Sequence, residues 1–280
     1  MCDVKAYSSA KLPAYARAVA YPDNENKLIC LISLLNVYDI PHRLIGGMSN
    51  VLIKNVIYNG VLIKTDKIAT NYLAENRITL GCGIRTSNVI HRMSAIGLGG
   101  MEGLAGIPGT VGGMLKQNAG AYGYEISDRF TEAKCYLTDK GHTVNLSKDE
   151  MDFSYRHSIL SDSSIVLLTA TFELLHGCSD DIISQIRYFR SCRAESQPIE
   201  YPSLGSVFKR HNGIGAGYYI DRSGLKGFSI GGAQISEKHA GFIINRGGAT
   251  ADDYIRLADY AKRRVYSEFG IELEEEIEVI

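Results

Sequence analysis

The stretch GLGGMEGLAGIPGTVGGMLKQNAGAYGYEI, residues 97–126, is the densest glycine region of the chain. It contains two glycine-rich loops, IPGTVGG at 107–113 and NAGAYG at 118–123. Because glycine has no Cβ, such loops let the backbone pack closely against another group. We interpret them as packed against a large planar cofactor such as a flavin, with Thr110 and Asn118 as polar contacts. The alternative is a glycine-rich β-helical corner.

A further glycine loop, GGMSN at residues 46–50, follows a strand-like segment. Its backbone N–H groups can converge on an anion, and Ser49 and Asn50 add side-chain hydrogen bonds. This pattern suits a pyrophosphate, although a plain β-turn explains it equally well. No GxGxxG motif opens a helix, so the dinucleotide fingerprint of a doubly wound sheet is absent.

Composition limits the class of protein. The chain has 280 residues with a formal net charge of −1 and 45% hydrophobic residues, which is ordinary for a globular protein with no general attraction for nucleic acid or membranes. We expect no signal peptide, no membrane span and no obligate protein partner. Six scattered cysteines show neither CxxC nor zinc spacing, so we expect a cytoplasmic protein without a metal site.

The element pattern predicts an α+β fold of several small units. Asn59-Gly60 is typical of a tight hairpin turn between two short apolar runs. Thr250 as N-cap, Asp253 three residues later and Gly270 as terminator predict a long helix. The tail IELEEEIEVI (271–280) reads as a strand that has glutamates on one face and Leu273, Ile277 and Val279 on the other.

Each of the other candidate site residues has two possible roles, one structural and one in catalysis or binding. Ser206 in YPSLGSVFKR is either a turn cap or a proton donor in a closed pocket. Arg156 in FSYRHS offers a fork for a carboxylate or phosphate, although a surface ion pair is the commoner role. Lys238 and His239, near Gln234, could contact a phosphate or form a polar turn.

Several long runs together resemble one family, UDP-N-acetylenolpyruvoylglucosamine reductase. They occur in the family's order and cover most of the chain. The similarity is closest to the shorter subtype, which lacks an extra loop with a substrate-clamping tyrosine. The matching runs are RLIGGMSNVLIKN, GLGGMEGLAGIPGTVGGMLKQNAGAYGYEI, FSYRHS, QPIEYPSLGSVFKR and GLKGFSIGGAQISEKHAGFIINRGGATADD.

The resemblance implies a two-part PCMH-type FAD-binding module and a separate α+β substrate-binding domain. The first FAD-binding part would be residues 1–65. The second would be residues 66–195, joined by the C-terminal strand 271–280. The substrate-binding domain would be residues 196–270.

The resemblance also implies a ping-pong reaction. NADPH would reduce non-covalently bound FAD, and the flavin would then reduce the enolpyruvyl ether of UDP-N-acetylglucosamine enolpyruvate to UDP-N-acetylmuramate for peptidoglycan precursor synthesis. The alternatives are a paralogous flavin reductase with another substrate and a non-catalytic FAD- or nucleotide-binding protein.

Site residues follow from the matching motifs. Ser206 would protonate C2 of the enolpyruvyl group, while Arg156 and Glu276 would flank its carboxylate. The motif position, not periodicity, selects Glu276 among the tail glutamates. The implied FAD-binding residues are Gly46, Gly47, Ser49, Asn50, Gly109, Thr110, Gly112, Gly113, Asn118, Gly120 and Ala121. The implied substrate-binding residues are Tyr155, Lys209, Gln234, Lys238 and His239.

The chain departs from the family pattern at several places, one of which is GMEGLAG (100–106) in place of GLEFLAG. Met48 replaces the third glycine of the usual GGGSN. The N-terminal stretch SSAKLPAYA (8–16) lacks the family's glycine pair, and Ser196 stands where many members have a lysine before QP.

Overall fold

The computed structural model describes residues 1–280, and its mixture of helices and strands agrees with the predicted α+β class. The α-helices are α1 (Glu25–Val37), α2 (Thr86–Ser94), α3 (Val111–Lys116), α4 (Ser179–Ser196), α5 (Ala216–Arg222) and α6 (Ala251–Phe269). The strands are β1 (Cys2–Asp3), β2 (Tyr15–Ala20), β3 (His42–Ile45), β4 (Val51–Leu52), β5 (Ile57–Lys64), β6 (Asn71–Ala74), β7 (Arg77–Gly81), β8 (Leu98–Gly99), β9 (Gly120–Ala121), β10 (Tyr124–Glu125), β11 (Phe130–Leu137), β12 (His142–Ser147), β13 (Ile165–Glu173), β14 (Leu175–His176), β15 (Ser203–Ser206), β16 (Ser229–Ile230), β17 (Ala233–Ile235), β18 (Phe242–Asn245) and β19 (Glu278–Val279). Short 3₁₀ helices span Glu102–Leu104, Ile126–Asp128, Asp149–Met151 and Ile159–Ser161.

The chain folds into two compact units and passes between them several times. The first unit comprises residues 1–18, 48–59 and 193–280. The second comprises residues 19–47 and 60–192. The three-part division expected from the sequence stays a prediction.

The second unit is built on a five-stranded antiparallel sheet in the order β12-β11-β13-β7-β6. Its buried cluster includes Leu80 and Phe172 from the sheet and Leu28 and Ile32 from α1. Strand β3 pairs in parallel with the second half of β5. The glycine loop at residue 46 therefore begins at the end of a partly buried, hydrogen-bonded strand.

The hairpin predicted at Asn59-Gly60 is wrong, because β5 runs straight through both residues. A two-residue hairpin turn of the usual type requires a positive φ at both central positions. Neither residue has one. In the first unit the side chain of Asn59 instead accepts a hydrogen bond from Arg17 Nε at 2.8 Å.

The first unit contains a four-stranded antiparallel sheet in the order β15-β18-β17-β16, with α5 and α6 contributing to its core. Helix α6 has the predicted ends: Thr250 and Asp253 form a reciprocal capping box, and Gly270 ends the helix at φ 67°. These caps satisfy backbone groups that the helix itself leaves unpaired. Tyr254 and Leu257 are fully buried against the sheet.

The tail follows its predicted alternation only in part. Leu273 and Ile277 are buried, but Val279 is 38% exposed, and only β19 is a strand. Strand β19 pairs in parallel with β4, where Glu278 N–H donates to Asn50 O at 2.9 Å. The final strand thus joins residues 51–52, which belong to the first unit.

Candidate active site

Two glycine loops pack backbone against backbone in the second unit. A Cβ placed on Gly46 would lie 2.3 Å from Thr110 Oγ1, and one on Gly47 would lie 3.8 Å from Gly109 Cα. Since Cβ atoms do not approach other atoms as closely as 2.3 Å, Gly46 has to be glycine for Thr110 to occupy its place. The sequence motifs at 46–50 and 107–113 therefore meet in the fold.

This loop pair presents hydrogen-bond donors and positive charge. The N–H groups of Gly46 and Gly47 donate no hydrogen bond within the protein. The Gly46 carbonyl accepts from the buried Lys64 Nζ at 3.2 Å. Because a trans peptide directs its C=O and N–H oppositely, this bond aims the Gly47 N–H away from Lys64. Arg85 Nη1 lies 3.5 Å from the Cβ position of Gly47.

Arg85 and Lys64 are functional candidates that the sequence reasoning missed. Arg85 is exposed, and its guanidinium makes no hydrogen bond or ion pair within the chain. Lys64 is almost fully buried and pairs with Asp66 at 2.9 Å. Backbone N–H groups beside a guanidinium fit a pyrophosphate. No motif in the sequence indicates either residue, because each is a single basic residue at the end of a segment without a recognisable pattern.

The second half of the IPGTVGG motif starts a helix. Thr110 is the N-cap of α3, and its Oγ1 accepts from Gly113 N at 3.4 Å. Gly112 lets the helix pass Cys82, whose carbonyl oxygen would be 3.2 Å from a Cβ there. Thr110 and Gly112 therefore build the loop itself, and the N–H groups of Val111, Gly112 and Gly113 donate hydrogen bonds within the protein.

The left-handed backbone at Met48 explains the glycine usually found there. Met48 has φ 46° and a buried side chain, and its carbonyl accepts from Ser9 N at 3.1 Å. A non-glycine residue in this conformation costs about 1 kcal/mol. Two residues on, Asn50 Nδ2 donates to Glu276 O at 2.9 Å. The Asn50 amide nitrogen thus supports the segment that carries Glu276.

Asn118 holds its loop together. It has φ 38°, is buried, and donates from Nδ2 to Glu125 Oε2 at 2.8 Å and to Ser154 O at 3.2 Å. Its Oδ1 accepts from Ser127 N at 3.4 Å. Gly120 and Ala121 follow as β9, whose hairpin with β10 turns at Tyr122 and Gly123. The side chain predicted to contact the cofactor is therefore occupied by the loop.

Arg156 lies in a two-residue turn that Asn118 fastens through Ser154. Ser154 and His157 exchange backbone hydrogen bonds of 3.2 and 3.1 Å across this turn. Arg156 has φ 56°, and its guanidinium lies 5.0 Å from the centre of the Tyr155 ring. The guanidinium therefore lies within the range of a cation–π contact with an aromatic ring. A guanidinium fork also matches the two oxygens of a carboxylate.

Ser206 ends β15 directly after a bulge. Gly205 has φ 79°, and the register of β15 on β18 shifts between Ser203 and Ser206. Such a bulge re-aims the residue that follows it. Val207 donates to Gly241 O at 2.9 Å and accepts from Glu276 N–H at 2.8 Å. Glu276 therefore lies on the segment hydrogen-bonded to the residue after Ser206.

Lys209 continues the same pairing. Its backbone N–H donates to Glu274 O at 2.8 Å, and its amine forms an ion pair with the Glu274 carboxylate. A bridge between Phe208 and Glu275 completes the register. The tail glutamates, which the sequence could not separate, thereby take distinct positions: Glu274 faces Lys209, Glu275 faces Lys262 at 3.1 Å, and Glu276 follows beside Val207.

The remaining substrate-binding candidates are held by the first unit. Gln234 Nε2 donates to Gly227 O at 3.0 Å. Lys238 Nζ donates to Ala194 O at 2.6 Å near the end of α4 and lies 3.8 Å from Glu200. His239 Nδ1 accepts from Gly241 N at 3.1 Å, and burial lowers the pKa of this imidazole. The Lys238 amine and the His239 Nδ1 therefore have partners within the fold.

The predicted site residues thus form two groups. In the first unit, Ser206, Glu276 and Lys209 lie on hydrogen-bonded neighbouring segments. In the second unit, Arg156 is linked to Asn118, and the glycine loops at 46 and 109 pack together.

The glycine loops at residues 46–47 and 109–113, which pack together, are called the glycine cradle below. An α+β fold with such a cradle is that of an FAD-dependent oxidoreductase. A family model described as FAD binding domain matches residues 16–147. A second, UDP-N-acetylenolpyruvoylglucosamine reductase, C-terminal domain, matches residues 197–280. The chain belongs to the UDP-N-acetylenolpyruvoylglucosamine reductase family. The family, the fold with its FAD-binding module and the FAD cofactor predicted from the sequence are thereby confirmed.

Named relatives support this membership along the whole chain. The enzyme of Caldicellulosiruptor saccharolyticus is 41% identical over 99% of this chain and 90% of its own length. That of Lactobacillus helveticus is 37% identical over 98% of this chain and 92% of its own. The crystal structure of the Thermus caldophilus enzyme superposes with a TM-score of 0.83 at 29% identity, covering 99% of this chain and 96% of that one. None of the helices combines the length and apolar composition that crossing a membrane requires.

Proposed function

We propose that this chain reduces the enolpyruvyl ether of UDP-N-acetylglucosamine enolpyruvate to UDP-N-acetylmuramate, with NADPH as reductant, in peptidoglycan precursor synthesis. The observation that carries the proposal is the 2.8 Å hydrogen bond from Glu276 N–H to Val207 O, the residue after Ser206. It places the backbone of Glu276 beside the residue that follows Ser206, at the end of the bulged strand β15. The names of the relatives supply the substrate class.

The glycine cradle is the proposed pyrophosphate site. Gly46 and Gly47 would donate backbone N–H groups, Gly109 and Gly113 would line the opposite loop, and Arg85 would add a positive charge. When bound, FAD supplies the two-electron transfer that no side chain can perform. The proposed contribution of Asn118 is to hold the NAGAYG loop, so that Gly120 and Ala121 present backbone.

Ser206 is the proposed proton donor. Hydride addition at C3 of the enolpyruvyl group leaves carbanion character at C2, delocalised into the carboxylate. Such a species is a strong base, so a correctly placed hydroxyl group protonates it although alcohols have a high pKa. The C2–C3 double bond is consumed, C2 gains the Ser206 proton, and solvent returns a proton to the serine oxygen.

Arg156 and Glu276 are proposed to bind the substrate carboxylate. The guanidinium of Arg156 would stabilise the negative charge that develops on this group during hydride addition. Glu276 would donate a hydrogen bond from its protonated form, because a carboxyl group beside an anion has a raised affinity for its proton.

Five residues are proposed to contact the UDP-sugar. Tyr155 would present the face of its ring, and Gln234 its amide oxygen, since the nitrogen is bound to Gly227. Lys209 and Lys238 would share their amines with existing partners, and His239 would donate from Nε2. We further propose that the protein works in the cytoplasm, where its cysteine thiols stay reduced.

A two-step flavin assay tests the function. The purified yellow holoprotein is bleached anaerobically with one equivalent of NADPH and then mixed with UDP-N-acetylglucosamine enolpyruvate. We expect the flavin absorbance to return together with UDP-N-acetylmuramate, identified by mass spectrometry. Bleaching without reoxidation by this sugar would contradict the proposal and favour a paralogue with a different substrate.

A further inference from the structure

We propose that the first unit contains a second anion site, separate from the groups assigned to the reaction, which binds a phosphorylated small molecule. The site is an open cleft of about 370 Å³. Three cationic residues line it, Lys5, Lys11 and Arg246, together with Tyr201 and the loop Gly247–Ala249.

The three cations have no carboxylate partners. None of them lies within 4.0 Å of a carboxylate oxygen, whereas Lys27, Lys134, Lys226 and Arg264 elsewhere in the chain all form ion pairs. The nearby acidic groups are engaged otherwise: Asp3 accepts from Lys5 N, Glu200 lies near Lys238, and Asp253 caps α6. Positive charge is therefore concentrated in a cleft, on a chain whose net charge is −1.

Neutral groups hold two of these cations, Arg246 and Lys11, in place. The Arg246 guanidinium hydrogen-bonds the Tyr201 hydroxyl and lies 4.8 Å from the centre of the Tyr201 ring. Lys11 Nζ donates to Ala6 O at 2.8 Å. Arg246 keeps further N–H donors for a ligand, and a guanidinium fork matches the oxygens of a phosphate.

A buried amide fixes the two walls of the cleft relative to each other. Asn245 Nδ2 donates to Ala10 O at 2.9 Å, in the wall that carries Lys11. Its Oδ1 accepts from Gly247 N at 2.9 Å and from Ala249 N at 3.2 Å, in the opposite wall. Between them, the Gly248 N–H has no acceptor in the protein. The cleft is therefore pre-organised, and it offers a backbone donor beside its cations.

The cleft and Ser206 are at opposite ends of the β15–β18 pair. Ser206 is opposite Phe242, whereas Pro202, in the cleft, accepts from Asn245 N at 2.9 Å. Phe242 and Asn245, the residues of β18 at these two ends, are three residues apart, which is about 10 Å along a strand. One wall is the SSAKLPAYA stretch, where the chain departs from the family pattern and places Lys11 and Pro13.

Inorganic pyrophosphate is the probe that tests the site. Its affinity for the holoprotein is measured by isothermal titration calorimetry at low salt. We expect Arg246→Gln to weaken binding about fivefold and the triple variant Lys5→Gln/Lys11→Gln/Arg246→Gln to weaken it about 20-fold or more. A control that removes equal charge elsewhere, Lys67→Gln/Lys140→Gln/Arg256→Gln, should change it less than about twofold.

Retained flavin absorbance and circular dichroism verify that each variant is folded. The proposal is overturned if the holoprotein binds no pyrophosphate at millimolar concentration, or if the cleft triple variant binds it like the control.

Steady-state kinetics distinguish two sources of the phosphate group. If Arg246→Gln raises KM for NADPH but not for NADH, the cleft binds the 2′-phosphate of the reductant. If neither KM changes while pyrophosphate binding is lost, a separate phosphorylated metabolite is the ligand. Both outcomes support a phosphate site in the cleft.

Discussion

The amine nitrogen of Lys64 lies 3.2 Å from the carbonyl oxygen of Gly46, beneath the loop assigned to the cofactor pyrophosphate. This bond fixes the peptide that presents the Gly47 N–H. We expect Lys64→Met to weaken FAD binding about fivefold, the value of roughly one hydrogen bond. Quenching of flavin fluorescence by the apoprotein measures this affinity. Lys140→Met, at an exposed turn, is the control, and equal affinities of the two variants would contradict the positioning role.

Arg85 provides a prediction that depends on ionic strength. Its unpaired guanidinium lies beside Gly47, so Arg85→Gln should weaken FAD binding severalfold at low salt and by less at high salt. The same fluorescence titration at two salt concentrations measures the effect. Arg92→Gln, on helix α2, which Arg85 directly precedes, should leave the affinity unchanged. A loss that is independent of salt would show that Arg85 acts through structure and not through charge.

Gly205 separates the role of the bulge from general backbone strain. Gly205 and Gly213 both have φ 79° and space for a Cβ, so either Gly→Ala change should lower the free energy of unfolding by about 1 kcal/mol. Gly205 directly precedes Ser206, whereas Gly213 does not. Only Gly205→Ala should therefore also slow the reoxidation of the flavin by the sugar. Urea unfolding and stopped-flow absorbance measure the two effects. Equal reoxidation rates would mean that the bulge does not aim Ser206.

His239 predicts how stability changes with pH. Burial lowers the pKa of this imidazole, and Gly241 N–H donates to its Nδ1. The unfolded chain therefore binds the proton more readily than the folded protein, so stability should fall as pH drops below about 6.5. His239→Asn keeps an acceptor and removes the titration, so its urea midpoint should change less between pH 7.5 and about 5.5. The exposed His142→Asn is the control, and a pH dependence unchanged in His239→Asn would contradict this assignment.

Sequence patterns predicted the parts of the fold where local chemistry decides the structure. The caps of α6 at Thr250 and Gly270 are local, since each satisfies backbone groups within a few residues. The hairpin predicted at Asn59-Gly60 is wrong because strand β5 runs through both residues. The pairing of β5 with its neighbouring strands overrides the local turn preference. Similarly, the tail was only partly strand, because its pairing with β4 is a long-range contact.

The site was predictable as motifs but not as geometry. Glycine spacing indicated backbone approach, and the family resemblance selected Ser206, Arg156 and Glu276. The contribution of Lys64 and Arg85 depends on residues that are far apart in sequence, so no local pattern indicates it. Asn50 and Asn118 were predicted as ligand contacts, whereas their amide nitrogens bind the Glu276 and Ser154 carbonyls. A polar residue in a motif can thus hold its own loop, and the contact of Asn50 and Asn118 with the ligand stays a prediction.

The most direct measurement compares the two half-reactions of Ser206→Ala by anaerobic stopped-flow absorbance. The account predicts that NADPH bleaches the flavin of this variant at nearly the wild-type rate, because the serine has no role in that step. Reoxidation by the enolpyruvyl UDP-sugar should slow by a factor of about 10³ or more, since the proton donor is missing. If the flavin of Ser206→Ala is reoxidised at the wild-type rate, or if both half-reactions slow equally, the assignment of Ser206 as the group that protonates C2 is contradicted.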